Sequence, residues 1–195
     1  VLPRSWTMTR HGMTVGEKYT PVESAGLYIP GGKFPYPSTV LMTAVPAQVA
    51  GVKRIAIVTP PGNVTHDMLA TAALCGIKEV YSVGGAQAIA ALAYGTETIP
   101  KVDLIVGPGN MYVAMAKRLV FGDVGIDSIA GPSEVIIIAD DSVRTEYVVS
   151  DLMAQAEHSS GAEALLLTRS KKLADVVKAK IGRFPNIKIK VVSTM

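Results

Sequence analysis

From Gly26 onward, short runs rich in β-branched residues alternate with alanine-rich stretches long enough for helices, and glycine, proline or asparagine marks each change. Strand-sized runs joined by helix-sized runs make βαβ units, whose strands lie parallel in one sheet. The strand-like runs are RIAIVT (54–59), EVYSV (79–83), LIVG (104–107), EVIIIAD (134–140), ALLLT (164–168) and IKIKVV (187–192). Most are apolar throughout, as strands covered by helices on both faces should be. Helices are expected near 65–75, 86–94, 110–120, 145–158 and 171–181, the first with Asn63 or Thr65 as N-cap and Gly76 as its stop. A further apolar stretch, STVLMTAVPAQVAG, suits a helix from Ser38, which Pro46 is expected to break or restart. The whole predicts an α/β fold with a doubly wound, mostly parallel sheet, whose ligands sit at the carboxyl ends of the strands.

Residues 1–25 mix polar and charged residues with turn signals and suit an arm or short ribbon leading into the domain. The 195 residues are 49% apolar, enough for a real core, and 18% charged with a formal net charge of +3. That excess is small and its basic residues are scattered, so no nucleic-acid partner is expected. The longest uncharged run carries Pro35, Pro37, Pro46 and Gln48, which spoil a membrane-spanning helix. A single cysteine, Cys75, excludes an internal disulfide framework and suits a reducing, cytoplasmic setting. The opening VLPRSWTMTR has neither a signal-peptide pattern nor an initiator methionine, which leads us to expect a stretch of a longer chain.

Chemistry is expected on the loops PPGNVTHD, VGGAQAIA, VGPGNMYV and AGPSEV. Glycine lets backbone approach a ligand closely, and a helix N-terminus offers free N–H groups to an anion. GGAQ and GPGN therefore suit a phosphate or dinucleotide, although neither is a GxGxxG turn, and tight turns alone would use the same glycines. Gln87 and Asn110 add amides that can read a ribose or an adenine edge. Tyr28, in GLYIPGG, could stack on a ring or simply pack at a strand end, and Lys33 after the same turn could pair with phosphate. Ser133 has no nucleophile elbow around it and fits a polar contact or cap better than a nucleophile.

The stretch DLMAQAEHSSG holds one of three histidines. If 145–158 is helical, Gln155 and His158 stand at i and i+3 on one face with Asp151 one turn earlier, so they could converge on one ion. A glutamine amide is a poor, neutral ligand, and zinc normally takes three or four protein ligands. A helix-terminal histidine interacting with the helix dipole uses the same residues. His11 and His66 sit in no matching motif.

Taken together, GLYIPGG, YPSTVLMTAVPAQVAGV, GGAQAIAALAYGTETIPKVDLIVGPGN, GIDSIAGPSEV and DLMAQAEH resemble the histidinol dehydrogenase family, from about Trp6 to Thr168. The resemblance implies a zinc- and NAD-dependent, homodimeric oxidoreductase of histidine biosynthesis that oxidises L-histidinol to L-histidine through the aldehyde. By motif, Tyr28, Gln87 and Asn110 correspond to NAD contacts, Ser133 to a substrate contact, and Gln155 and His158 to zinc ligands that also touch the substrate. It also implies incomplete Rossmann-like, flavodoxin-like units that bind NAD without the GxGxxG turn: an arm at 1–25, one unit at 26–133, and a partial second at 134–195 carrying the QAEH half-site. The family's catalytic glutamate–histidine pair and the rest of the zinc shell have no counterpart here. No catalytic residue is therefore assigned in this segment, which is expected to be inactive alone. Two other functions suit the same text: a paralogous NAD-dependent dehydrogenase of another small polar alcohol, or a non-catalytic nucleotide- or anion-binding module.

Overall fold

The structure, a computed structural model, describes residues 2–31, 36–130, 133–157 and 162–193. It divides into two units, 1–131 and 132–195. The first opens with strands β1 (Trp6–Arg10) and β2 (Met13–Glu17), an antiparallel ribbon closed by His11 and Gly12, whose positive φ angles of 49° and 77° turn the chain in two residues. Every residue of both strands is exposed. Next come β3 (Ser24–Tyr28), α1 (Pro37–Ala50), β4 (Arg54–Thr59), α2 (His66–Leu74), β5 (Glu79–Ser82), α3 (Gly85–Tyr94), β6 (Leu104–Val106), α4 (Met111–Val120) and β7 (Gly125–Ile126). A short 3-10 turn, Pro61–Asn63, separates β4 from α2.

β3 to β7 form one parallel sheet in the order β5-β4-β3-β6-β7. The chain steps outward from β3 through β4 to β5, then crosses back over the sheet to β6. Because strand–helix–strand crossovers are right-handed, this reversal sends the helices to opposite faces. α1 and α2 pack with Leu27, Ile29 and Ile57 on one side, while α3 and α4 pack with Tyr28, Val58 and Ile105 on the other. The alternation along β3 supplies both cores from one strand, and all five of its residues are buried. Gly26 belongs to the crowded face: a Cβ there would stand 2.7 Å from Leu92 Cδ1 of α3.

β3 was not among the strands expected from the sequence, although it is the centre of the sheet. SAGLY has small residues in place of a β-branched run, and its strand character comes from the neighbours that pair with both its edges. α1 departs in the other direction. It runs unbroken through Pro46, which lies on the exposed side of the helix, where water can solvate the carbonyl left without a partner.

The second unit contains β8 (Val135–Ala139), α5 (Thr145–Ala156), β9 (Ala164–Thr168), α6 (Lys171–Ile181) and β10 (Ile187–Val191), with parallel strands in the order β10-β9-β8. Its strands are laid down in one direction, so right-handed crossovers put both helices on the same face. Leu152, Leu166, Leu173 and Val177 form the core there. Coverage on both faces is therefore not observed for β8, where Ile136 and Ile138 remain 62% and 66% exposed. Among the described residues no helix is long and apolar enough to cross a membrane.

The amino-terminal ends of the strands in the first sheet are tied by charge. Ser24 donates from N–H and Oγ to Asp103 Oδ2 at 2.8 and 2.7 Å. Arg54 grips both carboxylate oxygens of Glu79 across β4 and β5, and donates to the Lys101 carbonyl at 3.0 Å. That hydrogen bonding from Arg54 holds the Glu79 carboxyl below the usual glutamate range. A carboxyl with a lowered folded-state pKa contributes its full stability above the unfolded value, about pH 4.3, and loses it as the pH falls through the lowered one. Glu79→Gln is expected to cost no more than about 1 kcal/mol at neutral pH and to flatten the acid limb of the stability curve below that point. Urea unfolding across a pH series measures both.

Candidate functional site

The carboxyl ends of β3, β4, β5 and β6 each lead into a glycine-containing loop, and all four of those loops end at a helix N-terminus. Strand order reverses between β3 and β6, so the cleft above them is where an open α/β sheet receives a ligand.

The loops are built around close backbone approach. At Gly107, φ is +119° and a Cβ would fall 2.2 Å from the Tyr28 carbonyl oxygen, so only glycine fits. Pro60 is wedged between two further glycines, 3.0 Å from a Cβ on Gly31 and 2.5 Å from one on Gly84. Asn63 closes the set. It is 4% exposed, and its Nδ2 donates to the Pro30 carbonyl at 3.0 Å and to Thr59 Oγ1 at 2.9 Å, locking the loop after β4 to the loop after β3. Thr65, not Asn63, caps α2, with Oγ1 accepting from Met68 N–H.

Tyr28, Gln87 and Asn110 each lie where a strand or helix of the first unit begins or ends. Tyr28 ends β3 and is 2% exposed; its hydroxyl accepts from Gly85 N–H at 3.0 Å, the first residue of α3. Gln87 is exposed in the first turn of α3, with Oε1 folded back toward Gly85. Asn110 is exposed and caps α4, its Oδ1 accepting from Val113 N–H at 3.1 Å. Tyr28 thus braces the helix that carries Gln87, while Gln87 and Asn110 present amides beside two helix N-termini. Donors of that kind, with no acidic residue in the first turn of either helix, suit a phosphate-bearing ligand.

In the second unit, Gln155 lies in the last turn of α5 and donates from Nε2 to the Ser133 carbonyl. The two residues expected to touch substrate are therefore neighbours, and the bond orients the Gln155 amide so that Oε1 is its remaining acceptor. His158 and Lys33 lie outside the described residues. Among the described residues no group of three or more histidine, cysteine, aspartate or glutamate side chains gathers as a metal site. His11 closes the β1–β2 turn, His66 begins α2, and Cys75 is buried.

Two residues that the motifs did not single out support the cleft from below. Lys117 of α4, 2% exposed, donates to the Gly107 carbonyl at 3.0 Å and to Asp127 Oδ1. A signal for it exists: Val113, Ala116, Lys117 and Val120 make an i, i+3, i+4, i+7 stripe, on which a lysine is out of place unless it has a buried partner.

The family model for histidinol dehydrogenase matches residues 2–190. A histidinol dehydrogenase from Sulfurimonas denitrificans is 58% identical over 188 residues, which are 95% of this chain and 44% of that protein. The crystal structure of histidinol dehydrogenase from Elizabethkingia anophelis superposes with a TM-score of 0.88 at 39% identity, over 98% of this chain and 49% of that one. A succinate-semialdehyde dehydrogenase from Burkholderia pseudomallei has the same kind of fold, with a TM-score of 0.56 at 14% identity, over 91% of this chain and 38% of that one. The chain spans less than half the length of each.

Asn63→Ala should leave the half-buried Pro30 carbonyl and the buried Thr59 hydroxyl without their donor, at a cost of about 1–3 kcal/mol. Denaturant unfolding reads the global loss, and faster hydrogen exchange at Ile29 N–H, which bonds to the Val58 carbonyl, reads the loosened loop.

Proposed function

The chain belongs to the histidinol dehydrogenase family, and on that premise we propose that it contributes the NAD-binding cleft and part of the substrate end of an oxidoreductase that converts L-histidinol to L-histidine. The observation that carries this reading is the Tyr28 hydroxyl bound to Gly85 N–H at the start of α3 while Gly107, at the start of the turn into α4, presses on the Tyr28 backbone, beside the point where strand order reverses. A pyrophosphate gains from free N–H groups at such a place, and amide side chains can orient a ribose or adenine edge. Tyr28 serves the same cleft through the Gly85 N–H that its hydroxyl accepts.

Oxidation proceeds in two hydride transfers. The first turns the alcohol into the aldehyde with loss of a proton; water then adds to the aldehyde, and the second transfer yields the carboxylate, each hydride reducing one NAD. We assign no proton acceptor to this chain, and the residues proposed here act by binding and orienting. Ser133 and Gln155 hold the polar end of the substrate, the bond between them setting the Gln155 amide.

Zinc, when bound, would orient the substrate through its amine and imidazole. Gln155 through Oε1 and His158 through an imidazole nitrogen are its ligands in this reading. A neutral amide and one imidazole fall short of the three or four protein ligands that zinc normally takes, so this donor set fits a half-site and no step is routed through the metal. Homodimeric assembly and a cytoplasmic location accompany the proposal as the family's usual setting.

The test is histidinol-dependent NADH formation by the full-length protein that carries this segment, with zinc content measured in parallel. Gln155→Ala and His158→Ala should each weaken zinc binding by more than the roughly 10- to 100-fold that loss of an outer-shell partner brings, and reduce turnover with it. Gln87→Ala should raise the KM for NAD about tenfold while zinc content stays unchanged, as expected for a lost hydrogen bond of roughly 1.4 kcal/mol. Oxidation of a different small polar alcohol in place of histidinol would favour a paralogous dehydrogenase. NAD binding without turnover of any alcohol would favour a binding module.

A further inference from the structure

We infer that Lys117 and Asp127 form a clamp that fixes the turn 107–110 for the nucleotide, making both of them positioning residues of the cofactor cleft. Both polar groups of the Gly107 backbone are held by this pair. Its N–H donates to Asp127 Oδ2 at 2.8 Å, and its carbonyl accepts from Lys117 Nζ at 3.0 Å. The ammonium also meets Asp127 Oδ1, which accepts from Ser128 N–H at 2.6 Å. Asp127 is itself placed by the sheet, since it follows β7 and donates its own N–H to the Ile105 carbonyl at 3.1 Å.

The arrangement is costly if stability alone is at stake. The lysine side chain is 3% exposed, and a buried ion pair is commonly no more stabilising than an apolar pair of the same volume. Its return lies in geometry. Gly107 stands where the chain leaves β6 at φ +119°, pressed against the Tyr28 backbone. Three residues later Asn110 caps α4, and seven residues beyond that cap, on the inner stripe of the same helix, Lys117 reaches back to the turn. The clamp joins the strand end, the helix and the loop after β7 around one glycine. It thereby fixes the direction of the α4 N-terminus and the placement of the Asn110 amide. An apolar residue at position 117 could fill the space but could not hold the carbonyl. A lysine without Asp127 would leave Gly107 N–H unbound.

This inference rests on the nucleotide reading of the cleft, and the experiment separates the two. NAD is titrated into the full-length protein that carries this segment and into its Lys117→Met, Asp127→Asn and double variants, with amide hydrogen exchange at Gly107 and thermal unfolding recorded for each. Methionine keeps the unbranched length of the lysine stem and leaves Asp127, 34% exposed, open to hydration, while asparagine keeps the shape of the aspartate. Each single variant is expected to expose Gly107 N–H to exchange and to weaken NAD binding by about 10- to 100-fold, the usual range for a lost charged hydrogen bond. The double variant should be no worse than either single, because one clamp is removed in all three. If Lys117→Met fails to fold, Asp127→Asn decides. A folded single variant with unchanged NAD affinity overturns the inference, as does additive weakening in the double. If the unaltered protein binds no NAD while Gly107 stays protected, the nucleotide reading fails and the clamp loses its assigned purpose.

Discussion

At the middle of the first sheet two backbones approach more closely than any side chain permits. A Cβ on Gly107 would lie 2.2 Å from the Tyr28 carbonyl, and one on Gly26 would lie 2.7 Å from Leu92. These contacts let β6 settle beside β3 while α3 returns across the same strand. The reversal of strand order depends on that fit, and so does the cleft, because the reversal is what leaves a gap between loops that diverge to opposite faces. Once the fit is made, Tyr28 lies against Gly107 and its hydroxyl accepts from Gly85 N–H. Packing brings Gly107 against the Tyr28 backbone, and Lys117 with Asp127 holds the polar groups of that glycine, so the turn depends on both.

The two units use the same βα alphabet to different ends. In the first, reversal buries β3 on both faces and creates a cleft. In the second, sequential strand order puts α5 and α6 on one face and leaves Ile136 and Ile138 uncovered on the other. An apolar sheet face of that kind calls for a cover, and the chain spans less than half the length of its relatives. What this unit organises by itself is local: the last turn of α5 is held to the segment before β8 by the bond from Gln155 to Ser133.

Much of this was legible in the sequence, for physical reasons that differ between elements. β4, β9 and α6 stand at their expected ranges, because apolar runs and helical periodicity are local signals that no long-range contact had to supply. β3 was missed because SAGLY is adapted to its neighbours: its glycine admits Leu92, and its serine pairs with Asp103, 79 positions away. Pro46 was expected to interrupt α1, a local rule that fails where the affected carbonyl faces water. Among the candidate site residues, motifs pointed to Gln87, Asn110 and Gln155, which carry exposed or half-exposed amides. Asn63 was read only as a possible cap of α2 and Asp127 passed unnoticed, because each serves groups that are distant in sequence or belong to another element. Lys117 sat in view on an apolar stripe and could have been found by asking what would neutralise it.

The amino-acid sequence by itself determined the class of fold, the family and the chemical character of the loops, since these follow from periodicity and from residue types that sit near one another along the chain. Tertiary structure decided which strand lies at the centre, that Tyr28 is buried with its hydroxyl on a helix N-terminus, and that a lysine and an aspartate grip one glycine from two sides. Those outcomes depend on which surfaces meet when strand order reverses. Such meetings join residues tens of positions apart, and no local pattern records them.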